Sequence, residues 1–490
     1  MNLQSVLNIV GILLMLMAGI LLAPMIVAYV FSQPAIPGKM TEMQAFGLTI
    51  FVCLITGFSL WKLFPSDLDH LRDREGFAIV SFSWIFISLA GSLPFYFTGV
   101  CSSYIDALFE STSGFTTTGA TILKEIDQLP KGILFWRNLS QWLGGMGIIM
   151  LSLAIFPALG IGGFHLFKAE VPGGAAVERA QPRLTETAKI LWKVYLALTV
   201  LQILLMKLGG VNWFDAVCNT FSTVATGGFS PHTASIGAFG SVYVESVVIL
   251  FMFLGGINFA LHYQTIHGNL KSVYKNPELR FYIIMIAVGA IFATWGLWRE
   301  TPEAGVASAF RRASFNVVSI NTTTGFITDD FNSWPNHLRL FMLGIMMVGG
   351  CVGSTSGSFK AIRVLVFIKI IIRELQKLVQ PRGVFHVKVG QKTIDNNQVL
   401  NVVGLAGLFM GIFFLSTIFL TMLEVDTVTA VSASVASLFN IGPGLGKVGA
   451  LGNYADIPGL GKCVIIFCML MGRLEIYGIM ALFLPFTWRK

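Results

Sequence analysis

Four short strings in this 490-residue chain could do chemistry together: Thr117–Thr118–Gly119, Ala225–Thr226–Gly227, Thr323–Thr324–Gly325 and Asn440–Ile441–Gly442. Each follows a short amphipathic segment and precedes an apolar run with its own glycine motif. The residue types point to backbone chemistry rather than to side-chain catalysis. Glycine permits the positive φ that a row of same-facing carbonyls requires, and a ring of carbonyl oxygens can replace the water around a dehydrated cation. The glycines aligned in this way lie 108, 98 and 117 residues apart. The runs that follow open on LGGMG at 143–147, LGGIN at 254–258, VGGCVG at 348–353 and MGRLE at 471–475. Two elements recurring in one order four times mark an internal repeat. An isolated Thr-Gly pair would instead be read as small residues that let membrane helices pack closely.

A second set consists of cations and glycines inside apolar runs, where a charge costs several kcal/mol and marks a functional candidate. Arg473 lies within MGRLE, below the fourth string. It is read either as a barrier in a cation pathway or as a partner of Glu475 or of a backbone carbonyl. Gly349, Gly350, Gly353, Ser354 and Gly357 stand in a stretch that would sustain a straight helix poorly, and Lys360 follows it. Residues 349–359 are therefore expected to break the span and form a flexible loop beneath the strings; the alternative is a kinked helix with a snorkelling Lys360.

Acidic residues near the expected outer mouth are Glu110, Glu125, Asp127, Asp215, Asp329, Asp330 and Asp456, most of them read as a solvated face. Asp106 and Asp215 recur at matching repeat positions and are expected to cap the short helices. The seven histidines are scattered, and neither a zinc-type H-E-x-x-H nor a G-x-x-x-x-G-K-[ST] phosphate loop is present. No enzyme chemistry is expected, and energy from ATP, if used, would have to come through a partner.

The elements that must position these strings follow from composition. Hydrophobic residues make up 54% and charged residues 12%, about half the charge of a soluble protein. Apolar runs fit membrane spans at about 7–31, 44–65, 77–98, 133–159, 190–209, 243–262, 281–299, 337–359, 398–423 and 461–487. Each is read as a helix because unpaired backbone is too costly in lipid. Of the 33 Lys and Arg, 18 fall in 62–76, 165–190, 262–280, 369–395 and the pair Arg489–Lys490. This bias places those segments on the cytoplasmic side and accounts for the net charge of +8 without nucleic acid. The segments 165–190 and 373–396 are read as solvated connections, with partner docking as the alternative. The six cysteines show no CxxC spacing and are read as small buried hydrophobes.

The expected fold is an all-α polytopic membrane protein: two N-terminal helices over 1–70, then repeats over 71–165, 166–275, 276–395 and 396–490. In each repeat a helix, a re-entrant loop and a second helix follow one another, and the four surround one pore in pseudo-fourfold arrangement.

The strings FTTTGATIL, VATGGFS, NTTTGF and FNIGPGLG, with WLGGMGI, FLGGINFALH, GGCVGSTSGSFKAIR and MGRLEIYG, resemble the Trk/Ktr/HKT potassium transporter superfamily, and within it the bacterial TrkH branch. The likeness covers essentially the whole chain, including the two extra N-terminal spans of that branch. It implies K+ uptake across the bacterial inner membrane by a homodimer with one pore per subunit. It also implies gating by a cytosolic ring of TrkA-type subunits that bind the nucleotide, so that this chain holds no organic cofactor. The family's filter role would fall on the twelve residues of the four strings, its gate on Gly349–Lys360 and its pore arginine on Arg473. The fourth string departs from the pattern, since it lacks the Thr pair and adds Pro443. Two classes stay open: a gated cation pore, and a proton- or sodium-coupled symporter with a site at broken helices. A symporter would be expected to place a second acid beside Glu475.

Overall fold

A computed structural model describes residues 2–65, 73–147, 181–390 and 392–488. The basic segment 66–72, most of the loop expected at 165–190 and the pair Arg489–Lys490 lie outside the described residues. The architecture is all-α, as expected, with one small hairpin pairing Lys388–Val389 with Lys392–Thr393.

The N-terminal pair consists of Leu3–Ile20, continued by Leu22–Phe31, and Glu42–Leu63. A capping box starts the second of these. The Thr41 hydroxyl accepts from the Gln44 N–H, and the Gln44 side chain accepts from the Thr41 N–H. Gly11 and Gly57 let the two backbones touch: a Cβ on either would come within 2.7 Å of the other's carbonyl oxygen. Small residues at such crossings are what hold membrane helices together, because lipid offers no hydrophobic driving force.

Four helix–loop–helix units follow. Their long helices are Asp73–Phe97, Gln181–Leu208, Pro277–Glu300 and Asn396–Met422; their short helices are Tyr104–Phe115, Trp213–Val224, Gly305–Asn321 and Thr427–Leu438. Three of the short helices have 12 residues and reach only ~18 Å, and the third, with 17, reaches ~26 Å; all fall short of a ~30 Å hydrocarbon core, so the chain turns back in the loop that carries each string. The backing helices then leave: Lys131–Gly145, Val242–Gly255, Asn336–Met346 and Gly459–Arg473.

The backing helices correct the expected continuous spans. Six described helices are long and apolar enough to cross a membrane. The runs 133–159, 243–262, 337–359 and 461–487, by contrast, are interrupted. The second bends by 102° between Val242–Gly255 and Phe259–Ile266. The third stops at Met346 and resumes at Ala361, and the fourth stops at Arg473 and resumes at Tyr477. In the first, the helix ends at Gly145 and the remainder of the run lies outside the described residues. The cause is close approach at the glycine motif. A Cβ on Gly144 or Gly472 would strike the carbonyl of Phe115 or Leu438 in the last turn of a short helix, and the glycines that permit this contact are poor helix formers.

The expected open connection at 373–396 is also corrected. The helix runs Ala361–Val379, and Val366 and Ile370 on it pack with Val387, Val389 and Val399. Burial of that apolar set folds the segment, while Lys377, Arg382 and Lys388 stay exposed. Five cysteines are buried as expected, but Cys463 is exposed.

Candidate functional site

The four strings share one backbone conformation. Thr117, Thr226, Thr323 and Asn440 all have positive φ of 52–60°, and two residues later Gly119, Gly228, Gly325 and Gly442 have φ of 78–96°. The residue between them donates its N–H to the last turn of its short helix: Thr118 to Ser113, Gly227 to Ser222, Thr324 to Ser319 and Ile441 to Ala436. This hydrogen bond sets the register and corrects the second string. Gly228, not Gly227, is the counterpart of Gly119, and Ala225 falls at the end of its short helix. Gly227 stays in the set as the counterpart of Thr118.

These glycines meet around one centre. A Cβ on Gly119 would fall on the carbonyl oxygen of Gly227, one on Gly228 on that of Thr324, one on Gly325 on that of Ile441, and one on Gly442 on that of Thr118, all closer than 3.0 Å. Each repeat thus abuts the next, and the circle closes. Above it lies a narrow cavity of about 80 Å³, lined by the same four glycines.

On the opposite side, the circle is stopped by the loop that breaks the third backing run. The Gly357 N–H donates to Thr323 Oγ1 (2.7 Å), the Thr226 hydroxyl meets that of Thr355 (3.3 Å), and the Ser358 N–H donates to the Phe439 carbonyl (3.0 Å). The loop is held from behind by Glu278, whose Oε1 accepts from the N–H of Val352 (2.7 Å) and of Ile362 (3.3 Å). Gly353 has φ +76°. The Lys360 ammonium turns back onto the Ser356 carbonyl, so the kinked-helix alternative does not hold. Gly349, Gly350 and Ser354 lie within the same non-helical stretch.

Arg473 reaches into this space. Its Nη1 donates to Thr117 Oγ1 (3.1 Å) and to the Thr355 carbonyl (3.0 Å), and its Nη2 to the carbonyls of Gly144 and Gly145. Glu475 pairs with Arg363 at 2.5 Å, and of the two structural partners expected for Arg473 it is the backbone carbonyls of Gly144, Gly145 and Thr355 that the guanidinium engages. From the end of the fourth backing helix the guanidinium thereby fastens the first string and the first backing helix to the loop.

The outer acids divide. Glu125, Asp127 and Asp456 are exposed as expected, and Asp456 pairs with Lys124. Asp329 pairs with Arg312 (2.7 Å), and Asp330 caps the turn at Asn332. Glu110 corrects the solvated reading: it is fully buried, 2.5 Å from the equally buried Arg137. Asp106 and Asp215 are not the caps. The Ser103 hydroxyl and the Asn212 carboxamide occupy those positions and accept from the N–H of Asp106 and Asp215, which lets the two carboxylates face the positive end of the helix dipole. Asp106 also pairs with Lys462 at 2.6 Å.

Sequence reasoning passed over Arg137, Gln141 and Glu278. The signal was present for the first two. Arg137, Asn138 and Gln141 stand at i, i+1 and i+4 in an otherwise apolar run, which places them on one helix face. Glu278 sits in the first turn of a long helix and gave no comparable signal.

A titratable bridge ties two repeats at the outer surface. His232 Nδ1 lies 2.9 Å from Asp127 Oδ1, and Nε2 lies 2.9 Å from Asp215 Oδ2. The Thr233 N–H also donates to Asp127. Only the protonated ring donates from both nitrogens. The hydrogen bond to Asp215, opposed by burial, raises the His232 pKa. For Asp127 burial works upward, but the bonds from Thr233 and His232 hold its carboxyl at about 2. A raised imidazole pKa gives stability that is fully present below the ordinary histidine value and is lost as pH rises through the folded value; the Asp127 contribution is present above the ordinary aspartate value and is lost as pH falls from 3.8 through about 2. The melting temperature of the solubilised protein is therefore expected to fall as pH rises above the ordinary histidine range, and His232→Gln should flatten that fall. An equal fall in the variant would exclude the bridge as its source.

Comparison with known proteins bears on all of this. The sequence pattern of the TrkH family, described as a cation transport protein, matches residues 42–490. The Trk system potassium uptake protein TrkH of Halomonas elongata is 39% identical over 492 residues, covering all of both chains. The protein of the same name from Escherichia coli strain K12 is 38% identical over the same extent. The crystal structure of the potassium transporter TrkH from Vibrio parahaemolyticus matches with a TM-score of 0.88 at 38% identity, again over the full length of both.

Proposed function

Because the chain belongs to the TrkH family of membrane cation transport proteins, and is thus a transporter rather than an enzyme, we propose that it takes up potassium across the bacterial inner membrane through a filter of backbone carbonyls. The observation that carries this reading is the closed circle of Gly119, Gly228, Gly325 and Gly442, each set against a carbonyl of the next repeat. Carbonyls so fixed replace the hydration shell of an alkali ion at little cost in reorganisation. Each short helix ends at its string and directs the negative end of its dipole there. The filter comprises Thr117–Gly119, Ala225–Gly228, Thr323–Gly325 and Asn440–Gly442, with K+ as cargo.

The gate is the stretch Gly349–Lys360 together with Arg473. The loop fills the space directly under the filter, and the guanidinium puts a positive charge where a cation would leave it. Opening requires both to withdraw. The broken helix Tyr477–Phe483 and the helix Ala361–Val379 are the movable parts nearest them, joined by the Arg363–Glu475 pair.

The regulatory partner is a TrkA-type cytosolic ring that binds the nucleotide and docks on 373–396; the chain itself works as a homodimer in the bilayer. The folded helix and hairpin of that segment expose Lys377, Arg382 and Lys388, a basic face suited to an acidic protein surface. A pull-down with membranes of the source cell should retain a nucleotide-binding protein, and replacing Lys377, Arg382 and Lys388 by Glu should release it. Retention by the triple variant would exclude this face.

Uptake itself is tested with purified protein in liposomes by comparing Rb+ and Na+ flux with and without a pH gradient. Gradient-independent flux that favours Rb+ is expected. Rb+ flux that requires the gradient would favour the symporter, and equal Rb+ and Na+ flux would refute the filter.

A further inference from the structure

The four backing helices are aligned by the residue before their first turn, Pro130, Ser241, Pro335 and Pro458, and by the glycine fourteen residues later, Gly144, Gly255, Gly349 and Gly472. Eleven residues along, three repeats carry methionine (Met252, Met346, Met469) and the first carries Gln141. Seven along, three carry Val248, Met342 and Ile465, and the first carries Arg137. Only the first repeat, then, backs its filter with polar groups at these positions, and a buried polar group must be repaid by specific partners.

Those partners are filter backbone. Gln141 Nε2 donates to the Gly227 carbonyl (2.5 Å), and its Oε1 accepts from the Phe229 N–H (2.9 Å). Arg137 Nη1 donates to the Ser230 carbonyl (2.9 Å), and its guanidinium lies 3.6 Å over the Phe229 ring. Glu110, which holds Arg137 through Nε, also accepts from the Ile122 N–H (3.1 Å) and the Thr121 hydroxyl (3.0 Å). One helix face of the first repeat thus clamps the strand that leaves the second filter string, and the ion pair ties it to the strand leaving the first.

We infer that Gln141, supported by the Glu110–Arg137 pair, is a specificity-determining positioning residue: it fixes the direction of the Gly227 carbonyl and so the size of the ring the ion meets. The carboxamide does not touch the ion. It removes freedom from one of four carbonyls at the point where the second string, with Gly227 in place of a threonine or isoleucine, has no side chain to anchor it. A ring with one loose member accommodates the smaller Na+ more readily than a rigid one, since selectivity depends on how far the carbonyls can follow the ion.

This inference rests on the filter reading above, and its test separates the two. Gln141→Met installs the residue that the other three repeats carry, at similar volume, and leaves no new charge. In liposomes the Rb+/Na+ flux ratio should fall by roughly tenfold, together with a small fall in melting temperature from the Phe229 N–H that loses its acceptor. A role in packing alone would lower the melting temperature and leave the ratio unchanged. Glu110→Asn with Arg137→Val transplants the pair of the second repeat, Asn219 and Val248, without orphaning a buried charge. It should lower the ratio in the same direction and keeps the test open if the methionine variant does not fold. An unchanged ratio in either transporting variant overturns the inference. If Gly119→Ser changes the ratio while these do not, the filter stands and the clamp is wrong; if none changes it, the filter reading fails as well.

Discussion

Replacing Arg473 by alanine should raise Rb+ flux through the purified protein by roughly tenfold or more, the scale set by a unit charge a few ångströms from the path of a like charge at an effective dielectric near 20. The structure sharpens this expectation in two ways. Arg473 Nη1 stands 3.1 Å from Thr117 Oγ1 in the first filter string, so its charge lies beside the pathway. Its hydrogen bonds also occupy Thr117 Oγ1 and the carbonyls of Gly144, Gly145 and Thr355. Removing the guanidinium frees oxygens of the kind an alkali ion accepts, turning a barrier into a resting point. Arg473→Lys should keep the charge while losing the forked contact geometry, giving a flux between wild type and the alanine variant. Flux at or below wild type in Arg473→Ala, at matched protein level, would show that the residue braces the filter instead of blocking the path.

The second large effect is expected at the filter glycines. Gly119→Ser and Gly228→Ser each place a Cβ against a neighbouring repeat's carbonyl, that of Gly227 or of Thr324, at a position with φ near +80°. The substitution carries both a steric clash and backbone strain, and the affected carbonyl must turn or retreat. The Rb+/Na+ flux ratio should fall by about tenfold or more, with loss of some 1.4 kcal/mol of discrimination per decade. Gly227→Ser is a different experiment: its Cβ would meet the Gln141 carboxamide at 2.5 Å, not a carbonyl of the ring. It tests the clamp from the other side. Rb+ and Na+ permeation unchanged in Gly119→Ser and in Gly228→Ser would place ion discrimination elsewhere in the chain.

What residue order alone determined is whatever depends on local composition and period. Apolar length marks the segments that can lie in lipid, the distribution of Lys and Arg gives an expectation of their sidedness, and four recurrences of Gly-bearing strings after short amphipathic segments point to one repeated unit. Even the interruption at 349–359 was legible, because its glycines and hydroxyl residues have no helical preference strong enough to bridge it.

Tertiary structure decided everything that rests on partners distant in sequence. In VATGG the two adjacent glycines make either alignment plausible, and only the bond from the Gly227 N–H to Ser222 selects Gly228 as the ring member. Glu110 reads as surface charge until Arg137, 27 residues on, is seen beside it. Arg473 and Glu475, neighbours in sequence, point to different partners because the helix ends between them, with Glu475 at φ +51°. Hydrophobic burial is non-directional and can be read from a string of letters, whereas hydrogen bonds and ion pairs are directional and act over a few ångströms. Their pairing exists only once four repeats have closed around a common axis.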